Sequence, residues 1–400
     1  MKINYTWATV ACLLLSVPLI VYLSKRRGYG DAVPAVRVAT FNMALNRISA
    51  GALVEELRGG GSTAAKRLAE VVQRNAVDVL LVCELDHDDA GEALRLLADE
   101  YLAKPQGGQK AIAFEYRYSA PVNTGQPTGR DLDGDGKTDG PGDAYGYGAF
   151  PGQYGMAILS RYPILTDRVR TFRELPWATM PDALRPDGYD EATWNSLRLS
   201  SKSHWDVPIG IGPVEGGKVV HLLASHPTPP VFDGPEDRNG KRNHDEIRFW
   251  VDYLTPGKGE WIVDDAGVAG GLAESASFVV LGDLNCDPFD GDARREALLA
   301  LLAHPRVQDP KPTSPGGKEQ SDKQWGANAS HQGDAALDTG DFPDVPGSGP
   351  GNLRLDYVLP SRDLTVVRSG VFWPRSFEPT LALAEASDHR LVFVDLAIGR

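Results

Sequence analysis

The stretch Ser277–Pro288, SFVVLGDLNCDP, constrains this chain more than any other. Phe278, Val279, Val280 and Leu281 make a short apolar, β-branched run closed by a glycine, the pattern of a buried strand. The strand then delivers Asp283 and Asn285. Being two residues apart, they share one side of an extended chain, with Asp287 behind them. A carboxylate and a carboxamide held at one strand end suit a cleft in which the first takes a proton or holds a hard cation and the second holds a substrate oxygen. A polar turn after a strand is the plainer reading, since Gly, Asp and Asn are common turn residues. The rest of the chain decides between the two.

The chain has 400 residues, 42% apolar and 24% charged, enough to bury a large core. Its net charge of -13 argues against a basic face that coats nucleic acid. It leaves room for an enzyme of phosphate esters, because a bound divalent cation changes the local field. Cys12, Cys83 and Cys286 form no disulfide framework, and the last two read as buried thiols at strand ends. Ile3 to Ser24 is uncharged, with Lys2 before it and Lys25, Arg26 and Arg27 after it. Residues 1–30 are therefore expected to be a membrane anchor or signal segment with a basic flank, and 31–35 a linker. Residues 36–398 show no internal boundary and read as a single domain.

Within that domain the pattern predicts strands over Val36–Met43, Val77–Cys83, Gly155–Ser160, Ile164 onward, Lys218–His226, Ser277 onward, Leu353–Leu359 and Arg390–Ile398. Helices are predicted over Thr63–Asn75, Gly91–Ala103, Asn243–Leu254 and Asp292–Ala303. The opening strand–helix–strand–helix order is that of an α/β protein. His304–Asn352, rich in Gly, Pro and Asp, reads as a surface excursion.

Most of these strands end on a polar residue: Asn42, Glu84, His226, Asp283 with Asn285, while Asp388 and His389 precede the last strand and Asp356 sits inside its own. One such ending is ordinary. Several acids and imidazoles at buried strands need partners, and they can partner one another around a metal. The set suits phosphate-ester hydrolysis, in which a hard cation such as Mg²⁺ polarises the phosphoryl oxygen, a carboxylate aligns the attacking water and an imidazole meets the phosphoryl group.

In order along the chain, ATFNM, VCELD, YGMAILSRYPI, the strand ending at His226, LGDLN, RLDYVLPS and SDHR resemble the endonuclease/exonuclease/phosphatase family, which includes deoxyribonuclease I-like nucleases, phosphatases and sphingomyelinases. The resemblance implies a four-layer α/β sandwich, two mostly antiparallel sheets packed face to face with helices on both outer sides. It implies a metal-dependent phosphoric ester hydrolase using Mg²⁺ or Mn²⁺, with Glu84, Asn42 and Asp388 at the metal. It further implies that Asp283 activates water and Asn285 holds the phosphate. His389 contacts the phosphoryl group and is oriented by Asp388. His226 is the second histidine, and Asp356 orients it or assists a second metal. Arg161 is a structural motif residue.

Two segments lie outside the resemblance. After His226, the run HPTPPVFDGPEDRNGKRNHDE offers Arg238, Arg242 and His244 to a phosphate, or is simply a solvated helix start. Asp131, Asp133, Asp135 and Asp139 follow the early positions of a calcium loop, although the Glu that ends such a loop is missing and no helices flank it. A structural Ca²⁺ is the expectation there. It suits a catalytic domain that is exported or membrane-anchored and extracytoplasmic. The expected partners are a phosphate-ester substrate (nucleic acid, lipid head group or small molecule) and a membrane through the N-terminal segment, for a monomer. The alternatives are a non-catalytic binding module on the same fold and a calcium-binding surface protein.

Overall fold

The structure, a computed structural model, describes residues 35–212, 217–345 and 349–398. The anchor or signal segment expected in residues 1–30 lies outside them, as do Cys12 and all of the linker but Ala35. Among the described residues no helix is long and apolar enough to cross a membrane.

The strands are β1 (Ala35–Leu45), β2 (Val79–Leu85), β3 (Tyr116–Tyr118), β4 (Met156–Ser160), β5 (Arg170–Thr171), β6 (His204–Ile211), β7 (Lys218–Ser225) and β8 (Ser277–Asp283). They continue with β9 (Gly340–Asp341), β10 (Asn352–Leu353), β11 (Asp356–Pro360), β12 (Thr365–Val371) and β13 (Val392–Ala397). Among the described residues they form a six-stranded sheet ordered β12-β13-β1-β2-β4-β3, a five-stranded sheet ordered β11-β8-β7-β6-β5, and the small pair β10-β9. In the two large sheets β1–β2 and β7–β8 run parallel and the other pairs antiparallel.

The period of two in the sequence explains the layering. Val79, Leu81 and Cys83 of β2 meet Val279 and Leu281 of β8 and Val358 of β11 in the core between the sheets. The intervening Leu80 and Val82 pack outward onto Leu68 and Val72 of the helix Thr63–Arg74. On the other sheet Phe278 and Val280 pack outward onto Phe249 and Trp250 of the helix Arg238–Leu254. Each central strand is buried on both faces, which is why these strands read as nearly continuous apolar runs. This is the four-layer sandwich that the resemblance implied.

Three departures matter for the site. The helix expected from Asn243 starts five residues earlier, at Arg238. The strand β6 was not expected, because Asp206 and Pro208 disguise it; its buried Trp205, Val207 and Ile209 nevertheless face the central core. The segment 304–352 is only partly a surface excursion. It holds a helix, Pro315–Gln324, started by the Ser314 side chain, and it buries Thr339 completely. Its β9 lies against the SDHR segment, with Gly340 bridged to His389 and the Arg390 N–H donating to the Thr339 carbonyl.

Candidate active site

The side chains that end these strands gather at one end of the sandwich. Antiparallel pairing of β8 and β11 sets Asp283 directly opposite Asp356. Both carboxylates are buried, and like charges so paired repel unless a cation lies between them. His389 is that cation. Its Nδ1 meets Asp356 Oδ2 at 2.8 Å and its Nε2 lies 3.5 Å from Asp283 Oδ2. Burial pushes the imidazole down, but the Asp356 and Asp283 carboxylates outweigh it and hold the group at about 10. The imidazolium also meets the ring of Phe342 edge-on, with centroids 5.5 Å apart.

Asp283 is the hub. Its Oδ2 accepts from Asn42 Nδ2 at 3.1 Å and lies 3.5 Å from His226 Nε2, and its Oδ1 accepts from the Asn285 N–H at 2.9 Å. Burial raises it to about 6, against the pull of His389. Asn42 Nδ2 also donates to Glu84 Oε1 at 3.0 Å in its own sheet, so its bond to Asp283 ties the two sheets together. The second Glu84 oxygen accepts from Asn46 Nδ2 at 2.7 Å. Burial raises Glu84 as well, and the Asn42 hydrogen bond and His389 oppose that rise.

The backbone makes this convergence possible. Strand parity would send Glu84 outward with Leu80 and Val82. Its φ of 59°, with φ 47° at Ala44 in the facing strand and a register slip between Asn42 and Leu45, breaks the alternation, so that Leu85 takes the outward place. Asn285 is likewise held at φ 51°. Left-handed φ at non-glycine residues is costly and clusters where function demands it. The glycine of LGDLN is needed for a different reason. A Cβ on Gly282 would sit 1.9 Å from the Ser225 carbonyl, where the chain passes toward His226.

Two roles read from the resemblance are corrected. Asp356, not Asp388, orients His389; Asp388 is exposed, and its carboxylate only approaches the Ser387 hydroxyl, at 3.5 Å. Asp356 does not orient His226, whose Nδ1 is buried without a hydrogen bond. Asn42 faces the carboxylates through its NH₂ group, while its oxygen accepts from the Ala44 N–H. Arg161 pairs with Asp78 at 2.6 Å.

Four residues escaped sequence reasoning. Thr339 Oγ1 donates to Asp356 Oδ2 at 2.8 Å and accepts from the Leu355 and Asp356 N–H groups. Lys202 is buried beside His226. Asn243 fastens the loops after His226 and Asp283 by donating to the Thr228 and Leu284 carbonyls. One turn on, Glu246 accepts from the N–H groups of Ser201 and Thr228. The spacing of Asn243 and Glu246 on the buried face of a helix was a legible signal; Thr339 and Lys202 gave none.

The residues of the two further candidate sites separate. Arg238 and Arg242 line a cavity of about 740 Å³ that also opens onto Glu84 and His226. His244 does not line it and sits 2.9 Å from Asp245 Oδ1. On the acidic loop Asp131 and Asp133 come together with Asp143, not with Asp135 or Asp139. Asp135 turns instead to Lys137.

Glu84, Asp283 and Asp356 put more negative charge at this site than His389 balances, and Asp356 Oδ1 is buried without a partner. Such a hard-oxygen donor set fits a divalent cation. A profile of the endonuclease/exonuclease/phosphatase family matches residues 39–389. Solved structures similar to this chain include an endonuclease/exonuclease/phosphatase from Beutenbergia cavernae, 18% identical, covering 92% of this chain and 72% of that one, with a TM-score of 0.47. A mannosyl-6-phosphatase from Bacteroides thetaiotaomicron is 14% identical over 90% of this chain and 99% of that one, at 0.43. Sphingomyelinase C from Streptomyces griseocarneus is 17% identical over 90% and 99%, at 0.41. A search of curated proteins finds no match.

Proposed function

The chain belongs to the endonuclease/exonuclease/phosphatase family of phosphoric ester hydrolases, and on that premise we propose that it hydrolyses its ester with Mg²⁺ through Asp283, His389 and Glu84. The observation that carries this reading is the unbroken chain of contacts Thr339–Asp356–His389–Asp283–Asn42–Glu84 across both sheets. A cation bound there would be held by Glu84 with Asp388, Asn42 steadying Glu84 through its NH₂ group, and would supply positive charge for the phosphoryl and leaving oxygens. Asp283 takes a proton from water as the water oxygen attacks phosphorus and the bond to the leaving oxygen breaks. Asn285 holds Asp283 Oδ1 through its N–H and packs its own carboxamide on the Pro227 carbonyl, 3.1 Å away. His389, kept cationic, donates to a phosphoryl oxygen, and Asp356 fixes which ring nitrogen points there. His226, which burial keeps neutral, closes the other side of Asp283.

The membrane-anchored or exported, extracytoplasmic setting is part of the proposal and rests on the sequence of residues 1–30 and of the acidic loop; cell fractionation tests it. The activity is tested on the full chain with and without Mg²⁺, using plasmid DNA, RNA, p-nitrophenyl phosphate, bis-p-nitrophenyl phosphate, inositol phosphates and sphingomyelin. Metal-dependent hydrolysis that disappears in Asp283→Ala is expected, and the preferred ester names the branch of the family. Hydrolysis unchanged in Asp283→Ala would overturn the assignment.

A further inference from the structure

The cavity of about 740 Å³ beside Glu84 and His226 has a composition that the hydrolytic chemistry does not require. Tyr145, Tyr147, Tyr154, Trp177, Tyr189 and Phe232 line it, in a chain that is only 8% aromatic. Among the described residues the hydroxyls of the four tyrosines make no hydrogen bond to the protein. Phe232 is 88% exposed and Tyr147 68% exposed, so the rim presents bare rings.

Three cations share the same walls: Lys202, Arg238 and Arg242. Among the described residues none lies within ion-pair distance of a carboxylate, although acidic residues outnumber basic ones in this chain and the net charge is -13. Arg238 donates only to the Leu132 carbonyl, Arg242 only to those of Leu199 and Arg198, and Lys202 only reaches the Pro227 carbonyl at 3.5 Å. Partly buried cations that neutral carbonyls alone satisfy are set up for an anion from outside. Lys202, beside His226, stands nearest the reaction. The two arginines extend the positive wall along the start of the helix Arg238–Leu254.

We propose that this cavity holds the organic body of the substrate: a ring-bearing phosphoester that carries a second anionic group, its ring against the tyrosines and the second anion against Arg238 and Arg242. The proposal rests on the phosphoester-hydrolase reading above. An acyl chain would leave the tyrosine hydroxyls and two guanidinium groups facing methylenes, which wastes their polar capacity; a polar ring with a second anion uses both. The volume is that of a pocket for one small molecule.

The test compares two esters on the full chain with Mg²⁺, thymidine 5′-(p-nitrophenyl phosphate) with and without a 3′-phosphate. The 3′-phosphorylated ester should be preferred at least tenfold in kcat/KM, through KM. Arg238→Gln should erase that preference by raising KM for the 3′-phosphorylated ester about tenfold. Phe232→Ala, at an exposed rim position that cannot upset folding, should raise KM for both. Binding is read separately by isothermal titration calorimetry when thymidine 3′,5′-bisphosphate is added to the protein in EDTA. Binding that Arg238→Gln weakens, in a protein that hydrolyses no ester, would overturn the hydrolase reading and leave the pocket standing. Hydrolysis in which neither variant moves KM or binding, or a preference for the ester lacking the second phosphate, would overturn the pocket.

Discussion

Among the described residues two acidic clusters are placed to draw in a cation, and they are built in opposite ways. Asp283, Asp356 and His389 are all buried; Asp131 and Asp133 are exposed and only Asp143 is buried. On the loop the backbone does most of the work. Asp131 accepts from the Gly134 and Gly136 N–H groups, and Asp143 from those of Leu132 and Gly140. In the buried cluster side chains answer side chains, and Asp356 Oδ1 and His226 Nδ1 are left with nothing. The loop carboxylates are satisfied by the turn they make, with water available to both exposed members. The buried carboxylates have no such relief, and their surplus charge asks for a proton or a metal. Density of acids is therefore a poor guide to a functional site, and unmet need in a buried place is a better one.

The strongest way to break this contrast is to remove one acid from each cluster. Asp283→Asn should lower kcat/KM by about 10³-fold or more, the scale of losing a positioned base. Its Tm should stay level or rise, because a buried charge held up at about 6 is removed. Asp131→Asn should leave kcat/KM unchanged. Thermal melts beside steady-state kinetics on both variants decide it; equal losses of activity would put the loop and the buried cluster on the same footing.

A smaller effect sharpens the same point through Thr339. Thr339→Val deletes the hydroxyl that donates to Asp356 and accepts from two backbone N–H groups. Leaving such buried groups unpaired costs about 1–3 kcal/mol of stability. Activity should fall about tenfold, through kcat, because His389 loses the fixed Asp356 it leans on. A normal kcat in a destabilised protein would show that Thr339 only braces the fold.

Thr339 also shows where the sequence stopped speaking. The strands that carry Asn42, Glu84, His226 and Asp283 were legible because burial on both faces writes a run of apolar residues that stops abruptly at the polar end. The sandwich itself came from the resemblance, and the alternation of Leu80 and Leu81 then fits it. What could not be read was pairing across the chain. Asp388 adjoins His389 in the sequence and Asp356 lies 33 residues before it, and only the β8–β11 register shows that Asp356 is the one that reaches His389. Thr339 lies in a stretch with no periodicity, so its arrival beneath Asp356 had no local signature. The acidic loop misled in the reverse direction: the spacing of Asp131, Asp133 and Asp135 resembles a cation loop, yet Asp135 serves a turn and Asp143, four residues past Asp139, joins instead.

A third acid separates burial from both designs. Asp338 is buried, accepts no hydrogen bond among the described residues, and stands near Asp287, Asp290 and Asp334. Burial, with these neighbours adding, pushes it up to about 9. An acid raised in the folded state lends its full stability below its unfolded value of about 4 and loses it as pH climbs toward 9. Asp338→Asn escapes that loss. The variant should melt above the parent at pH 8, and the gap should shrink at pH 5. A gap independent of pH would mean that Asp338 is ionised throughout and already has a partner.

The smallest effect belongs to the loop, and it tests the calcium reading. Four of the six carboxylate oxygens of Asp131, Asp133 and Asp143 already accept backbone hydrogens, and Asp133 adds a fifth toward Asp135. A cation arriving there must share oxygens that the turn is using, so its binding energy is partly offset by strained or lost hydrogen bonds. At 1 mM Ca²⁺ the melting temperature should rise by about 1 °C, a gain of less than about 1 kcal/mol for a domain of this size. Asp133→Asn should cancel the rise, and kcat/KM with Mg²⁺ should stay the same with or without calcium. No shift at all would remove calcium from the loop and leave it a turn. A shift above about 10 °C would reverse the contrast between the clusters, because satisfied, exposed carboxylates would then be the stronger cation site.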